Sequence, residues 1–186
     1  MKIDYPIETP RLILRPFQKR DLDDLYAYYA LPEVTRYLYC KPHTLQEARD
    51  TLTKKMKAVH LRKEGQRLVL AVEEKTSGKV MGEVGILWKS KDQRTGEIGY
   101  VFNPAYQGQG YATESAREML RLGFETCAFH RVIACCDARN TASARLMERL
   151  GMRREAHLVE NEMIKGEWTD ELIYAMLERE WKERVK

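Results

Sequence analysis

The sequence predicts an α+β domain organised around one mixed sheet, and three observations carry that prediction. Two amphipathic helical patterns come before any sheet core. Three strand patterns then follow one another as an antiparallel meander. Last, a glycine-bearing turn opens an amphipathic helix that leads into a buried strand, which is a βαβ-like crossover. At 186 residues the chain is expected to bury a substantial core as one domain, 1–186, with the core at about 9–178 and a charged tail at 179–186.

The elements can be justified in order. "RLILRPF" (11–17) sets Leu12 and Leu14 against polar Arg11 and Arg15, the alternation of a half-buried strand. Asp21 opens a helix with Leu22, Leu25, Tyr26 and Tyr29 on one face. Thr44 opens a second, with Glu47 three residues on in a capping-box arrangement and Ala48, Leu52, Met56 and Val59 as its apolar stripe. "RLVLAVEEK" and "KVMGEVGILW" flank the turn "TSG" as a hairpin, and "GEIGYVF" (96–102) adds the next strand. From Tyr111, the positions Ala112, Ala116, Met119, Leu120 and Gly123 fall at helical spacing, with Glu114, Arg117, Glu118, Arg121 and Glu125 opposite. "HRVIACCDA" reads as a buried strand. Asn140 is then a good N-cap for a helix with Leu146, Met147 and Leu150 inward, and Gly151 ends it. Strands near 152–160 and 168–177 complete the sheet.

Composition narrows the function. Hydrophobic content of 44%, charged content of 32% and a mean hydropathy of -0.56 fit a soluble globular protein, and no run approaches the roughly 18 apolar residues of a spanning helix. The start lacks a secretory apolar region, and Asp4 and Glu8 argue against a transit peptide, so a cytoplasmic location is expected. The net charge of +4 comes from 32 basic and 28 acidic residues mixed throughout, which argues against direct nucleic-acid binding; no membrane partner is expected. Cys40, Cys127, Cys135 and Cys136 lack paired CxxC spacing, and His43, His60, His130 and His157 complete no zinc pattern, so no metal is expected.

The stretch "NPAYQGQGYATESARE" (103–118) invites a chemical reading. A helix that begins behind small residues presents free amide N–H groups and the positive end of its dipole, which together bind phosphate. A Cβ at Gly108 or Gly110 would hold a diphosphate away from those amides. Glycines also serve strained turns for their own sake, and the stretch alone fits either use. A dinucleotide fingerprint fails because its third glycine position is Thr113, and a P-loop fails because Tyr-Ala follows Gly110. What remains is Q-x-x-G-x-A between a strand and an amphipathic helix.

That motif, with "TPRLILRPF", "EIGYVF", "RNTASARLMERLGM" and "WTDELIYAM", resembles the GCN5-related N-acetyltransferase (GNAT) family, and within it the ribosomal-protein N-terminal, Rim-type branch; the likeness runs from about Thr9 to Leu177. The resemblance implies a splayed, mostly antiparallel seven-stranded sheet flanked by about four helices, opening between its fourth and fifth strands to take acetyl-CoA. It implies that Tyr100, Val101 and Phe102 offer backbone to the pantetheine, that Gln107, Gly108, Gln109, Gly110, Tyr111, Ala112 and Thr113 hold the diphosphate, and that Asn140 and Ser143 also contact the coenzyme. Asn140 and Ser143 have a helix-capping alternative.

Transfer of acetyl from a thioester to an amine needs a neutral amine, stabilisation of charge on the carbonyl oxygen and a proton for the departing thiolate. A backbone N–H near Val101 is a candidate for the second task. Many family members place a tyrosine as acid where this chain has Met147. The Rim-type branch implies instead Ser143 beside the sulfur and Glu162 as base, by direct attack in a ternary complex. Glu97 and Glu83 rival Glu162, because an acid in a sheet cleft is where desolvation raises a pKa. Tyr26, Tyr28, Tyr29, Tyr37 and Tyr39 read as partial core, with a substrate mouth as the alternative. The expected acceptor is a protein N-terminal α-amine, whose pKa of about 7.7–8.0 asks less of a base than the roughly 10.4 of lysine. A small amine such as a polyamine or antibiotic is a second possibility, a non-catalytic acetyl-CoA-binding module a third. The sequence leaves monomer and homodimer equally open.

Overall fold

The structure is a computed structural model that describes residues 3–184. The chain forms β1 (Ile7–Glu8), β2 (Leu12–Arg15), α1 (Leu22–Tyr29), the short α2 (Pro32–Thr35), α3 (Leu45–Lys57), β3 (Arg67–Glu74), β4 (Val80–Ser90), β5 (Thr95–Phe102), α4 (Tyr111–Arg121), β6 (Arg131–Asp137), α5 (Thr141–Leu150), β7 (Arg153–Ile164), β8 (Glu167–Leu177) and α6 (Glu178–Arg184). The predicted α+β class holds. One mixed sheet runs β1-β2-β3-β4-β5-β6-β8-β7, with every neighbouring pair antiparallel except β5 and β6.

The structure corrects several local expectations. The sheet has eight strands rather than seven, because the two residues of β1 pair with β2; so short a strand carries no alternation to read. Within the charged tail, residues 179–184 form the body of α6. Trp181 is buried there, stacks on Phe124 at 5.9 Å and donates its indole N–H to Glu125 Oε1 at 2.9 Å. Val59 lies outside α3: the helix stops at Lys57, and the carbonyl of Ala58 accepts from Val69 N–H at 2.8 Å, which ties the chain to β3 instead. Arg15 also departs from its expected polar position. It is buried between Asp21 (2.8 Å) and Glu73 (2.5 Å).

Other local signals hold. Thr44 caps α3 through a capping box, its N–H donating to Glu47 Oε2 at 2.7 Å and its hydroxyl accepting from Glu47 N–H at 3.3 Å. Asn140 caps α5 by accepting from Ser143 N–H at 3.1 Å, and Gly151 ends that helix in the left-handed region at φ 83°.

The central strands pack a separate core on each face of the sheet. Leu68, Leu70, Met81, Val84, Ile86 and Ile98 face α4 and α5, packing with Met119, Leu120, Leu146 and Met147. Val69 and Ala71 point the other way, onto Leu25, Tyr28, Tyr29, Ala48 and Leu52 of α1 and α3. This two-sided covering is what places the functional site, because the far end of the sheet, beyond α1 and α3, lies open on the second face.

Candidate active site

The site begins where two strands part. β5 and β6 pair in parallel over only three positions, Thr95–Arg131, Gly96–Val132 and Glu97–Ile133. Beyond Glu97 they diverge, so residues 98–102 lose a neighbour on one side. N–H groups alternate sides along an antiparallel strand. Asn103 N–H donates to Met81 O at 2.9 Å, so the register of β4 and β5 directs the N–H groups of Gly99 and Val101 to β4. Those of Tyr100 and Phe102 face the open side. The backbone donor expected near Val101 is therefore supplied by its neighbours.

On the α4 and α5 side of the gap stand the helix termini. The loop before α4 holds Gly108 at φ 77° and Gly110 at φ 83°, a conformation that side chains with a Cβ rarely adopt. Gln107 N–H already donates to Pro104 O at 3.1 Å. The N–H groups of Gly108, Gln109, Gly110, Tyr111, Ala112 and Thr113 make no hydrogen bond among the described residues, and Glu114 N–H is the first to turn back, to Gly110 O at 3.0 Å. A Cβ built on Gly108 would meet nothing within 4 Å, so the space over these amides is open. The hydroxyl of Thr113 is buried there without a hydrogen-bond partner. A row of free amides, a helix dipole and an orphaned buried hydroxyl fit the diphosphate of a coenzyme.

The N-terminal motif explains itself at the same place. Arg11 donates through Nη1 to Gln109 O (2.9 Å), pairs through Nη2 with Glu114 Oε2 (2.6 Å) and lies over the Tyr111 ring at 4.4 Å, while Thr9 donates to Glu114 Oε1 at 2.5 Å. The Tyr111 hydroxyl donates to Glu74 Oε1 at 2.7 Å, so this residue offers the coenzyme only its backbone.

Ser143 sits across the gap. Its hydroxyl and that of Tyr100 lie 2.7 Å apart, and the Tyr100 hydroxyl also donates to Ser143 O at 3.2 Å. Asn140 does the capping, which frees the Ser143 hydroxyl to face β5. Burial raises the Tyr100 pKa well above its ordinary value, so its phenol keeps its proton. Met147, at the family's usual acid position, is completely buried in the core and faces no cleft.

On the opposite face of the sheet the gap opens into a cleft of about 430 Å3 between Tyr37–Tyr39 and the β7–β8 hairpin, and Tyr100, Asn140, Ser143 and Glu162 all line it. Two ties hold its walls together: the Tyr39 hydroxyl donates to Glu162, and Lys165 Nζ donates to Thr35 O at 2.5 Å. Period 2 along β5 brings Glu97 to this face with Gly99, which pairs with Gly85 on β4; the missing side chains of the two glycines leave bare backbone as the floor.

The proposed bases are differently placed. Glu83 is buried and held by Lys55 (2.5 Å) and the hydroxyls of Tyr28 (3.2 Å) and Tyr29 (3.1 Å). Glu97 is paired with Lys89 at 2.8 Å. Glu162 accepts from Tyr39, which is 74% exposed at the rim. The tyrosine group thus divides: Tyr28 and Tyr29 are core residues that fix Glu83, and Tyr37 and Tyr39 form the mouth. Sequence reasoning missed Glu171, which lines the same cleft from β8. Its signal was available, since in "WTDELIYAM" the buried Leu172, Tyr174 and Met176 alternate with Glu171 and Ile173, leaving an acid on the second face of a covered strand.

Comparison with known proteins agrees with this geometry. The family model for the acetyltransferase (GNAT) domain matches residues 11–153. The chain belongs to the GNAT acetyltransferase family. GNAT acetyltransferases use acetyl-CoA as cosubstrate, and this chain is an acetyl-transfer enzyme. An uncharacterized N-acetyltransferase of Bacillus subtilis (strain 168) is 35% identical over 175 residues, covering 94% of this chain and 98% of the relative. The crystal structure of a GNAT acetyltransferase from Bacillus anthracis superposes with a TM-score of 0.84 at 33% identity, over 94% of this chain and 99% of that one. More distant GNAT relatives carry acceptors in their names. A spermidine N(1)-acetyltransferase of Escherichia coli (strain K12) is 22% identical over 90% of this chain and 87% of its own length. A B. subtilis protein provisionally named a ribosomal N-acetyltransferase is 28% identical over 56% of this chain and 57% of its own.

Proposed function

We propose that this GNAT enzyme acetylates the α-amine of a protein N-terminus by direct attack within a ternary complex. The observation that carries the reading is that Ser143 and Glu162 line one cleft at the point where β5 and β6 part, one on the coenzyme side and one beside the acceptor mouth. When bound, acetyl-CoA supplies an acyl group activated as a thioester. The free amides at 108–113 and the Thr113 hydroxyl would hold its diphosphate, and the outward N–H groups of Tyr100 and Phe102 would serve its pantetheine arm. Ser143, paired with the un-ionised phenol of Tyr100, is the proton source on the thiol side, in place of the acid that Met147 cannot supply. Glu162 stands on the amine side, where its carboxylate attracts the acceptor's ammonium into the cleft. The provisional ribosomal name of one relative supports the acceptor class.

A second reading, acetylation of a polyamine, is favoured by one specific feature. Six carboxylates line the cleft, Glu83, Glu97, Asp137, Glu162, Asp170 and Glu171, against the two cations Arg67 and Lys89. A relative named for spermidine points the same way. Release of CoA should be measured across Ser- and Ala-starting peptides, spermidine and an aminoglycoside. The peptides are expected to give the highest kcat/KM. A tenfold preference for spermidine would replace the first reading with the second, and no release with any amine would leave a coenzyme-binding module.

A further inference from the structure

An amine attacks only after losing its proton, so the cleft needs a carboxylate that is free to accept one and prefers to be neutral. The occupied acids can be set aside one by one. Glu83 is buried against Lys55, and Glu97 is paired with Lys89. Asp137 is held by Arg139 at 2.7 Å, and Asp170 by His157 at 2.7 Å and by Glu160 N–H at 2.9 Å. Glu162 carries the Tyr39 hydroxyl. A carboxylate stabilised by a cation or strong donor is a weaker base, because the partner favours its charged form.

Glu171 holds neither a cation nor a hydroxyl among the described residues. Its neighbours are weaker donors, the amide of Asn161, donating to Oε2 at 2.8 Å, and the thiol of Cys135. It stands opposite Asp137 in the β6–β8 register and opposite Leu158 in the β7–β8 register, with the cleft before it. We propose that Glu171 is the catalytic residue that takes the proton from the acceptor ammonium, while Glu162, latched to Tyr39, positions the acceptor. The proposal rests on the acetyl-transfer reading of this cleft, and holds for either acceptor class. The step is R–NH3+ plus carboxylate giving R–NH2 plus carboxylic acid. The amine keeps the N–H bonding pair as the lone pair with which it attacks, and Glu171 later loses the proton to solvent.

The electrostatics support the assignment. Burial pushes the Glu171 carboxyl above its ordinary value. The Cys135 thiol and the ammonium of Lys89 on β4 push down, Glu162 on β7 and Glu97 on β5 push up, and burial, the largest effect, leaves the net shift upward. Tyr39 and Cys136 also face it, but burial raises both, Cys136 to about 11, so both stay neutral and neither competes for the proton near neutral pH.

The test uses the full chain with its best acceptor from the CoA-release panel. Glu171→Gln is expected to lower kcat about 100-fold or more, the usual range for a lost general base. It should also abolish the acid limb of the kcat–pH profile and recover as pH rises and free amine becomes abundant. Glu162→Gln is expected to raise KM more than it lowers kcat, keeping the acid limb. Folding is controlled independently. A raised carboxyl pKa in the folded state costs stability above the unfolded value, so Glu171→Gln should melt higher than wild type at pH 7 and lose that advantage below about pH 4.5. Acetyl-CoA affinity should be unchanged in both variants. A Glu171→Gln enzyme within threefold of wild type with its acid limb intact would overturn the proposal, as would loss of that limb in Glu162→Gln alone. Failure of the protein N-terminus reading registers separately, as the wrong acceptor winning the panel.

Discussion

Ser143 illustrates how one helix position keeps its side chain available for chemistry. A serine three residues after an N-cap is ambiguous in sequence, since its hydroxyl can finish the helix. Here Asn140 Oδ1 satisfies the Ser143 N–H, and the hydroxyl turns to Tyr100 at 2.7 Å instead. Ser143→Ala should therefore lower kcat by about tenfold to 100-fold, within the range of general acid catalysis, and leave acetyl-CoA affinity within about threefold. Stopped turnover measurements alongside calorimetry would check this, and a wild-type kcat would assign thiolate protonation to solvent. The bases show the opposite case. Glu83 and Glu97 satisfy the sequence criterion of an acid in a sheet cleft, but their cations, Lys55 and Lys89, come from α3 and β4 and leave no trace in the local pattern.

At the scale of elements, legibility followed the range of the forces involved. The capping box at Thr44, the Asn140 cap, the terminal Gly151 and the glycines at 108 and 110 are set by contacts within a few residues, and each was readable from the sequence. The pairing of β1, the burial of Arg15 and the docking of α6 through Trp181 depend on partners far along the chain, and were not. The bracing of the glycine loop by the N-terminal strand belongs to the second group. Arg11 lies 98 residues from the Gln109 carbonyl it binds. Arg11→Ala should loosen the loop and weaken acetyl-CoA binding about tenfold without unfolding the domain. Its ion pair is half-exposed, so little stability rides on it. Unchanged affinity, read by calorimetry, would mean that the loop holds its shape unaided.

For the molecule as a whole, the two packed cores and the three-position pairing of β5 with β6 leave one passage, which the proposed function divides into a coenzyme end and an acceptor end. The account rests on the coenzyme end, where free amides at 108–113 meet a doubly charged diphosphate. Gly108 is in the left-handed region with open space around it, and asparagine and aspartate both tolerate that conformation while differing in charge. The most direct measurement is calorimetric titration of acetyl-CoA into Gly108→Asn and Gly108→Asp. A new carboxylate a few ångströms from the phosphates should bind at least about tenfold more weakly than its neutral isostere, given a repulsion of order 1–4 kcal/mol at that range. Equal affinities for the two variants would contradict the account, because the diphosphate would then lie elsewhere.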